Sequence, residues 1–230
     1  GKDFINDKIF SPLEYKAPVK ELLVTENLAV WFDASDADQI EIDASGYVNK
    51  WKDKSGNNNH ATRSGSQRPM YKQGNMNGEN TLYFDGSNDY MDFNGNVIKN
   101  TDYTVIVVER RRDTARNYFI GGTSSSWDRN FQMGWENNTY GRVGQYNRFL
   151  NKSGLPGYNS NNLETKIWVA WHDDAVGKRW YFGDELQISS TDKTKMNTWD
   201  NSRIGFYRND YYKGDIAEVI IYKRAISEEE

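Results

Sequence analysis

The sequence predicts an all-β domain built as two antiparallel sheets packed face to face. Three observations carry this. Strand-forming aromatics are abundant, with 8 Trp, 15 Tyr and 10 Phe, while 19 Gly and many Asn and Ser supply turns. About a dozen short apolar runs recur along the chain, separated by turn signals. The run at 215–222 is apolar at both odd and even positions, so both of its faces should be covered.

Taken in order, residues 1–24 carry Pro12 and Pro18 and no sustained period. They read as an arm or linker from a preceding domain, packing through Phe10, Leu13 and Tyr15. Along the whole chain only 20–26 and the C-terminal stub invite a helix. The domain proper spans 25–230. Its first strand is 28–32, and 47–52 bears Trp51 ahead of the polar turn 53–59. Strands at 82–84 and 89–93 flank the turn Asp85-Gly-Ser-Asn88. Residues 104–108 are all β-branched and place a strand at 103–109. Further strands follow at 118–120, 131–135, 141–146, 167–172, 179–182, 202–207 and 215–222. Hairpins are expected at Gly177-Lys178 and at Gly183-Asp184.

In the last strand, Ile216, Ile220 and Tyr222 fall on one face at period two, and Ala217, Val219 and Ile221 on the other. Glu218 then interrupts an apolar strand and needs a partner, such as an arginine or tyrosine from a neighbouring strand. Ser227 and the three glutamates after it read as an N-cap with an acidic first turn. That helix start breaks off, as expected of a domain cut from something longer.

Composition excludes several functions. A chain of 230 residues fits one large sandwich. It has no cysteine, so disulfides, thiolate metal sites and a cysteine nucleophile are ruled out. No run approaches the length of a membrane span, so no membrane insertion is expected. The net charge is −4, and the run Arg110-Arg111-Arg112 is its one basic cluster, so no nucleic-acid partner is expected.

Four stretches occur in a telling order. Leu28-Ala-Val-Trp-Phe-Asp-Ala-Ser-Asp36 leads to Val48-Asn-Lys-Trp-Lys-Asp-Lys-Ser-Gly-Asn-Asn-Asn-His-Ala-Thr62. Leu82-Tyr-Phe-Asp-Gly-Ser-Asn-Asp-Tyr90 follows, and Gly214-Asp-Ile-Ala-Glu-Val-Ile-Ile-Tyr-Lys-Arg-Ala-Ile-Ser-Glu228 closes the chain. Together they resemble the laminin-G-like, concanavalin A-like lectin/glucanase jelly rolls of bacterial surface proteins and of phage virion and tail proteins. The resemblance covers about 25–230 and takes 63–76 as the family's extended link. It implies a two-sheet antiparallel jelly roll, often with a structural calcium ion and often with carbohydrate or surface binding. It names no ligand.

Catalysis is not expected. Glucanases of this fold carry Glu-x-Asp-x-(x)-Glu on one strand face, and Glu41-Ile-Asp43 begins that pattern without its final glutamate. His60 belongs to the polar turn that matches the family's structural segment. His172 ends an apolar strand beside Asp173-Asp174 and reads as a capped surface histidine. For Ca2+, the hard oxygens of Asp85, Asn88, Asp89 and Asp215 are the candidate ligands, although turn chemistry alone accounts for the first three.

Sugar binding requires aromatic faces with polar groups around them, held on loops of a rigid scaffold. The loop-rich middle supplies both in Trp127, Asp128, Arg129, Trp135, Tyr140, Arg142, Tyr146 and Arg148. A second cluster combines 199–201 with 208–212, while Trp31, Trp51, Trp168 and Trp180 fall in strands and belong to the core. The expected function is non-catalytic binding of a glycan or host-surface ligand, on a virion or bacterial surface or otherwise extracellular. Other virion or surface-protein chains are further partners. The alternatives are a structural or oligomerisation module of a fibre, capsid or adhesin, and, behind it, a glucanase-type enzyme.

Overall fold

The computed structural model describes residues 21–124, 126, 129–145, 148–161 and 163–230, and the protein is a two-sheet antiparallel β-sandwich of the jelly-roll type. Its strands are β1 (Leu28–Asp33), β2 (Ile40–Ile42), β3 (Val48–Trp51), β4 (Ala61–Thr62), β5 (Met70–Met76), β6 (Glu79–Asp85) and β7 (Met91–Asp92). Then come β8 (Tyr103–Arg111), β9 (Asn117–Gly121), β10 (Phe131–Trp135), β11 (Tyr140–Gln145), β12 (Arg148–Ser153) and β13 (Lys166–Asp173). The last are β14 (Gly177–Phe182), β15 (Glu185–Ser190), β16 (Arg203–Ile204), β17 (Phe206–Tyr207), β18 (Asp210–Tyr211) and β19 (Lys213–Tyr222). One sheet runs β15-β14-β13-β8-β19-β6-β5, with β1 also paired to β19. The other runs β12-β11-β10-β9-β16-β7-β4-β3-β2, and β17 and β18 form a separate hairpin.

Every expected strand is present, and the Gly183-Asp184 turn joins β14 to β15 directly. Three strands come from segments with no alternating apolar pattern. Residues 70–76, read as a link, form β5, and β12 and β15 are edge strands whose polar residues meet solvent. Residues 21–27 form no helix. Asn27 takes a φ of 56° at the turn into β1, and Leu22 and Val24 lie instead across Leu28, Trp31, Ile220 and Tyr222. The expected anchors Phe10, Leu13 and Tyr15 lie outside the described residues.

β19 is central, with β8 on one edge and β6 and β1 sharing the other. Its period is broken. A β-bulge between Ile216 and Glu218 puts Ile216 in the inter-sheet core with Val219 and Ile221, while Ile220 and Tyr222 join the outer patch. Ala217, freed from the ladder, accepts the Ala34 N–H at 2.9 Å. Glu218 accepts from the Trp31 indole N–H at 2.9 Å. Trp31 therefore lies in the outer patch, while Trp51, Trp168 and Trp180 are fully buried between the sheets. At the last turn the Ser227 N–H donates to the Glu230 carboxylate, the returning bond of a capping box.

The core is aromatic. Trp168 stacks on Trp180 with centroids 5.1 Å apart, and Trp135 meets Trp168 edge-on at 5.0 Å. At their centre lies a carboxylate. Glu109 Oε1 accepts from Trp168 Nε1 at 2.9 Å and Trp135 Nε1 at 3.2 Å, and Oε2 accepts from the Tyr212 hydroxyl at 2.6 Å. Burial pushes its pKa up, against the pull of these three donors and of Arg111.

Candidate functional site

On β10 the side chains alternate cleanly. Phe131, Met133 and Trp135 enter the core, so Gln132 and Gly134 face outward. Register extends this outer face across four strands. Gly134 lies opposite Tyr118 and Arg142, Gln132 opposite Gly144, and Arg142 and Gly144 opposite Asn151 and Phe149. The β17–β18 hairpin folds down on this face at Gly121, where a Cβ would come within 2.7 Å of the Phe206 carbonyl. Only glycine permits that approach.

The polar groups there form one network. Glu136, just past β10, receives Arg142 Nη1 at 2.5 Å, Arg116 Nη2 at 3.4 Å and the Tyr118 hydroxyl. Arg116 also reaches Asp210 at 3.3 Å, and Arg142 Nε donates to Asn151 at 2.9 Å. Arg142 packs over Phe149 at 4.5 Å, and Tyr118 contacts the Tyr207 ring at 4.5 Å. Two guanidiniums thus balance two carboxylates. Burial works against the Arg116 cation, but Asp210 and Glu136 outweigh it and raise its pKa. Burial and the bond to Glu136 raise that of Tyr118. Beside the network, Gln132 is fully buried, and among the described residues neither its Oε1 nor its Nε2 has a hydrogen-bond partner. Buried amides are nearly always paired, so this one retains unused capacity for both a donor and an acceptor.

The expected binding residues divide. Arg142 joins the network, and half-buried Tyr140 closes the adjoining turn, its carbonyl accepting the Glu136 N–H at 2.8 Å. Arg129 pairs with Asp200 at 2.8 Å, and Asn201 donates to Thr123, so the two loop clusters of the sequence do meet. Arg148 turns away, 3.6 Å from Asp192. Trp135 does not reach the surface, because its indole is committed to Glu109. Trp199 of the second cluster is likewise buried, donating to the Gly121 carbonyl at 3.0 Å. Trp127, Asp128 and Tyr146 lie outside the described residues. Sequence reasoning passed over Arg116, Tyr118, Gln132 and Tyr207 as site residues, although the polar Gln132 within Phe131-Gln-Met-Gly-Trp135 signals an outward amide on a strand.

The calcium ligands do not assemble. Asp215 is buried and accepts from Arg110 Nε at 3.1 Å, Arg112 Nε at 2.7 Å and Asn75 Nδ2 at 2.6 Å, so two cations already neutralise it. Asp85 caps its own turn through the Ser87 N–H, and Lys213 lies opposite it across the ladder. Asp89 accepts the Asp85 N–H at 3.0 Å. Among the described residues, no group of three or more acidic, His or Cys side chains is placed to hold a metal. This donor set does not fit Ca2+.

Asp89 carries a pH signature instead. Burial raises its pKa to about 7, the Asp85 N–H opposes this, and the Asp85 carboxylate adds to it. Between the ordinary carboxylate range and pH 7 the native state holds a proton that the unfolded chain has released, so stability falls as pH rises through that window. Asp89→Asn keeps the acceptor and removes the charge. It should stabilise the protein by on the order of 2 kcal/mol at pH 8 and do little at pH 4. Urea midpoints at the two pH values check this; an equal effect at both would refute it.

Glu41 and Asp43 each face a basic side chain. Glu41 is bonded to Lys50, which lowers its pKa. For Asp43, burial pulls upward, but the Tyr47 and Ser45 N–H groups and Arg68 outweigh it and hold the pKa low. A general acid needs the opposite shift. His60 Nδ1 accepts the Asp53 N–H at 3.0 Å. His172 is not a surface residue: it is fully buried, stacked on Tyr103, with its ring nitrogens facing Asp102 and the Lys193 carbonyl.

No family model and no curated protein matches this chain. Solved structures do. Domain 4 of AbnA, a GH43 extracellular arabinanase from Geobacillus stearothermophilus solved with arabinotriose, aligns over 88% of this chain and 95% of its own, at 15% identity and TM-score 0.63. The botulinum neurotoxin serotype D ligand-binding domain, solved with N-acetylneuraminic acid, aligns over 90% of this chain and 50% of its own, at 13% identity and TM-score 0.60. The Ruminococcus gnavus IT-sialidase CBM40, bound to α2,6 sialyllactose, aligns over 70% and 95%, at 12% identity and TM-score 0.51. The chain is thus similar to β-sandwich domains across nearly the whole of two of them and half of the toxin domain. At these identities the likeness establishes the fold.

Proposed function

We propose that this domain is a non-catalytic glycan-binding module of a larger virion or bacterial surface protein, acting outside the cell. The observation that carries the reading is the Arg116–Glu136–Arg142 network laid over Tyr118, Tyr207 and Phe149 on one outer sheet face. Sugars present an apolar ring face and a rim of hydroxyls. Tyr118 and Tyr207 are buried beneath the network, and the partly exposed Phe149 ring with guanidiniums already locked by carboxylates meets both without a large ordering cost. The sugar-bound neighbours support the same reading, as does the resemblance to jelly rolls of phage and bacterial surfaces.

A glycan array tests it. Binding to at least one neutral or acidic oligosaccharide is expected, and Arg142→Ala should weaken it about tenfold or more, since locked arginines at the centre of a contact dominate its energy. If no glycan in a broad panel binds, the reading falls. A stable oligomer in light scattering would then favour a structural module packed against partner chains.

A further inference from the structure

The same outer face continues past β9 onto β16, β7 and β4, where Arg203, Asp92 and Thr62 are register partners. There Asp92 Oδ1 accepts from Arg203 Nε at 3.0 Å and its Oδ2 from Arg63 Nη1 at 3.1 Å. The Tyr90 ring serves both cations, with Arg63 at 3.8 Å and Arg203 at 4.0 Å from its centroid. Phe206 holds Arg203 from its own ring at 4.7 Å, and Tyr90 and Phe206 are themselves in contact at 5.7 Å.

The two arginines differ in what remains. Arg63 directs one Nη to Asp92 and the other to Gln67. Arg203 uses only Nε, and among the described residues its two Nη groups find no acceptor. Its side chain is 19% exposed. The guanidinium is thus fixed at one nitrogen, packed against two aromatic rings, and left with its terminal donors free. Two cations share one carboxylate, so the local charge is positive.

We propose that Arg203 is an oxyanion receptor and, resting on the glycan reading above, that it selects sugars carrying a carboxylate or a sulfate. A planar guanidinium presents paired N–H donors whose spacing matches two oxygens of such a group, which a sugar hydroxyl cannot do. Because Asp92, Tyr90 and Phe206 already hold the side chain, little rotamer freedom is lost on binding. Lysine would keep the charge and lose both the fork and the stacking.

Side-chain 15N NMR tests this. The Arg203 Nε–H resonance, assigned by its loss in Arg203→Lys, is followed while glucuronate, galactose 6-sulfate, inorganic sulfate and, as neutral controls, glucose and galactose are added. The acids should shift it and the neutral sugars should not; whichever of glucuronate and galactose 6-sulfate saturates first identifies the preferred group. Arg203→Lys, which lacks that resonance and is therefore titrated by isothermal calorimetry beside the parent, should weaken acid binding about tenfold. Phe206→Leu, which keeps the Asp92 bond and removes the ring, should weaken it less, and it serves if the lysine variant is unfolded. If no acid moves the resonance, or if both variants bind acids as the parent does, the proposal is overturned. A response to inorganic sulfate with no binding of any sugar would keep the oxyanion receptor and refute glycan selection. Sugar binding that ignores acidity would do the reverse, keeping the glycan reading and sinking this one.

Discussion

Glu109→Ala is expected to destabilise the domain by about 4 kcal/mol, a large share of the stability of a typical domain. Glu109 is completely buried, and its two oxygens receive three donors: Trp135, Trp168 and Tyr212. Truncation leaves two indole N–H groups and a phenol without acceptors in a region closed to water, and opens a cavity among stacked tryptophans. Glu109→Gln separates the causes. Its amide oxygen still accepts from both indoles, and the Tyr212 hydroxyl can reverse to accept from the new amide N–H, so the loss should be about half as large. Chemical denaturation followed by tryptophan fluorescence reads both variants. Equal losses would mean that charge, rather than hydrogen-bond geometry, holds the centre together.

Asp215→Ala is the second large effect, expected at about 3–4 kcal/mol. Asp215 is fully buried and takes Arg110, Arg112 and Asn75 on its two oxygens. Removing it leaves two guanidiniums facing each other beside β19, and Arg110 is itself buried. Arg110→Met in the same chain should recover part of the loss, because it removes one of the two stranded cations. The double-mutant cycle measures that coupling. A simple sum of the two single losses would contradict the proposed pairing. The arrangement also accounts for the basic run at 110–112: Arg110 and Arg112 serve Asp215, while Arg111 turns inward to the carbonyls of Asn137, Asn138 and Ala115.

Much of this architecture is legible in the chain. Phe131-Gln-Met-Gly-Trp135 states its own two faces, and 104–108 can hardly be anything but a strand. The edge strands are less legible. β12 and β15 have one side in water and therefore carry no clean alternation, and β5 hides in a polar stretch for the same reason. The site was half legible. Arg142 and Asp210 stood out in aromatic, charged loops, but Trp135 and Trp199 were misplaced by the same criterion. Polar neighbours place a tryptophan near a loop without saying which way its ring turns, and here both rings turn inward and pin those loops to the core.

Local patterns of residue type settle what each short segment can be, because strand alternation and turn chemistry act over a few residues. In that sense the all-β class, the strand series and the two-sheet arrangement were written in the sequence. Partnerships are different, since they are contacts across the whole chain. The Trp31–Glu218 bond spans 187 positions, and the Arg110–Asp215 bond spans 105. The bulge at Ala217, which moves Ile216 into the core, depends on how β19 meets β8. Tertiary structure alone decided that Asp215 serves two arginines rather than a metal, and that Arg116, Glu136, Arg142 and Asp210 come together on one face. Register and burial fix such choices, and neither is a property of any local stretch.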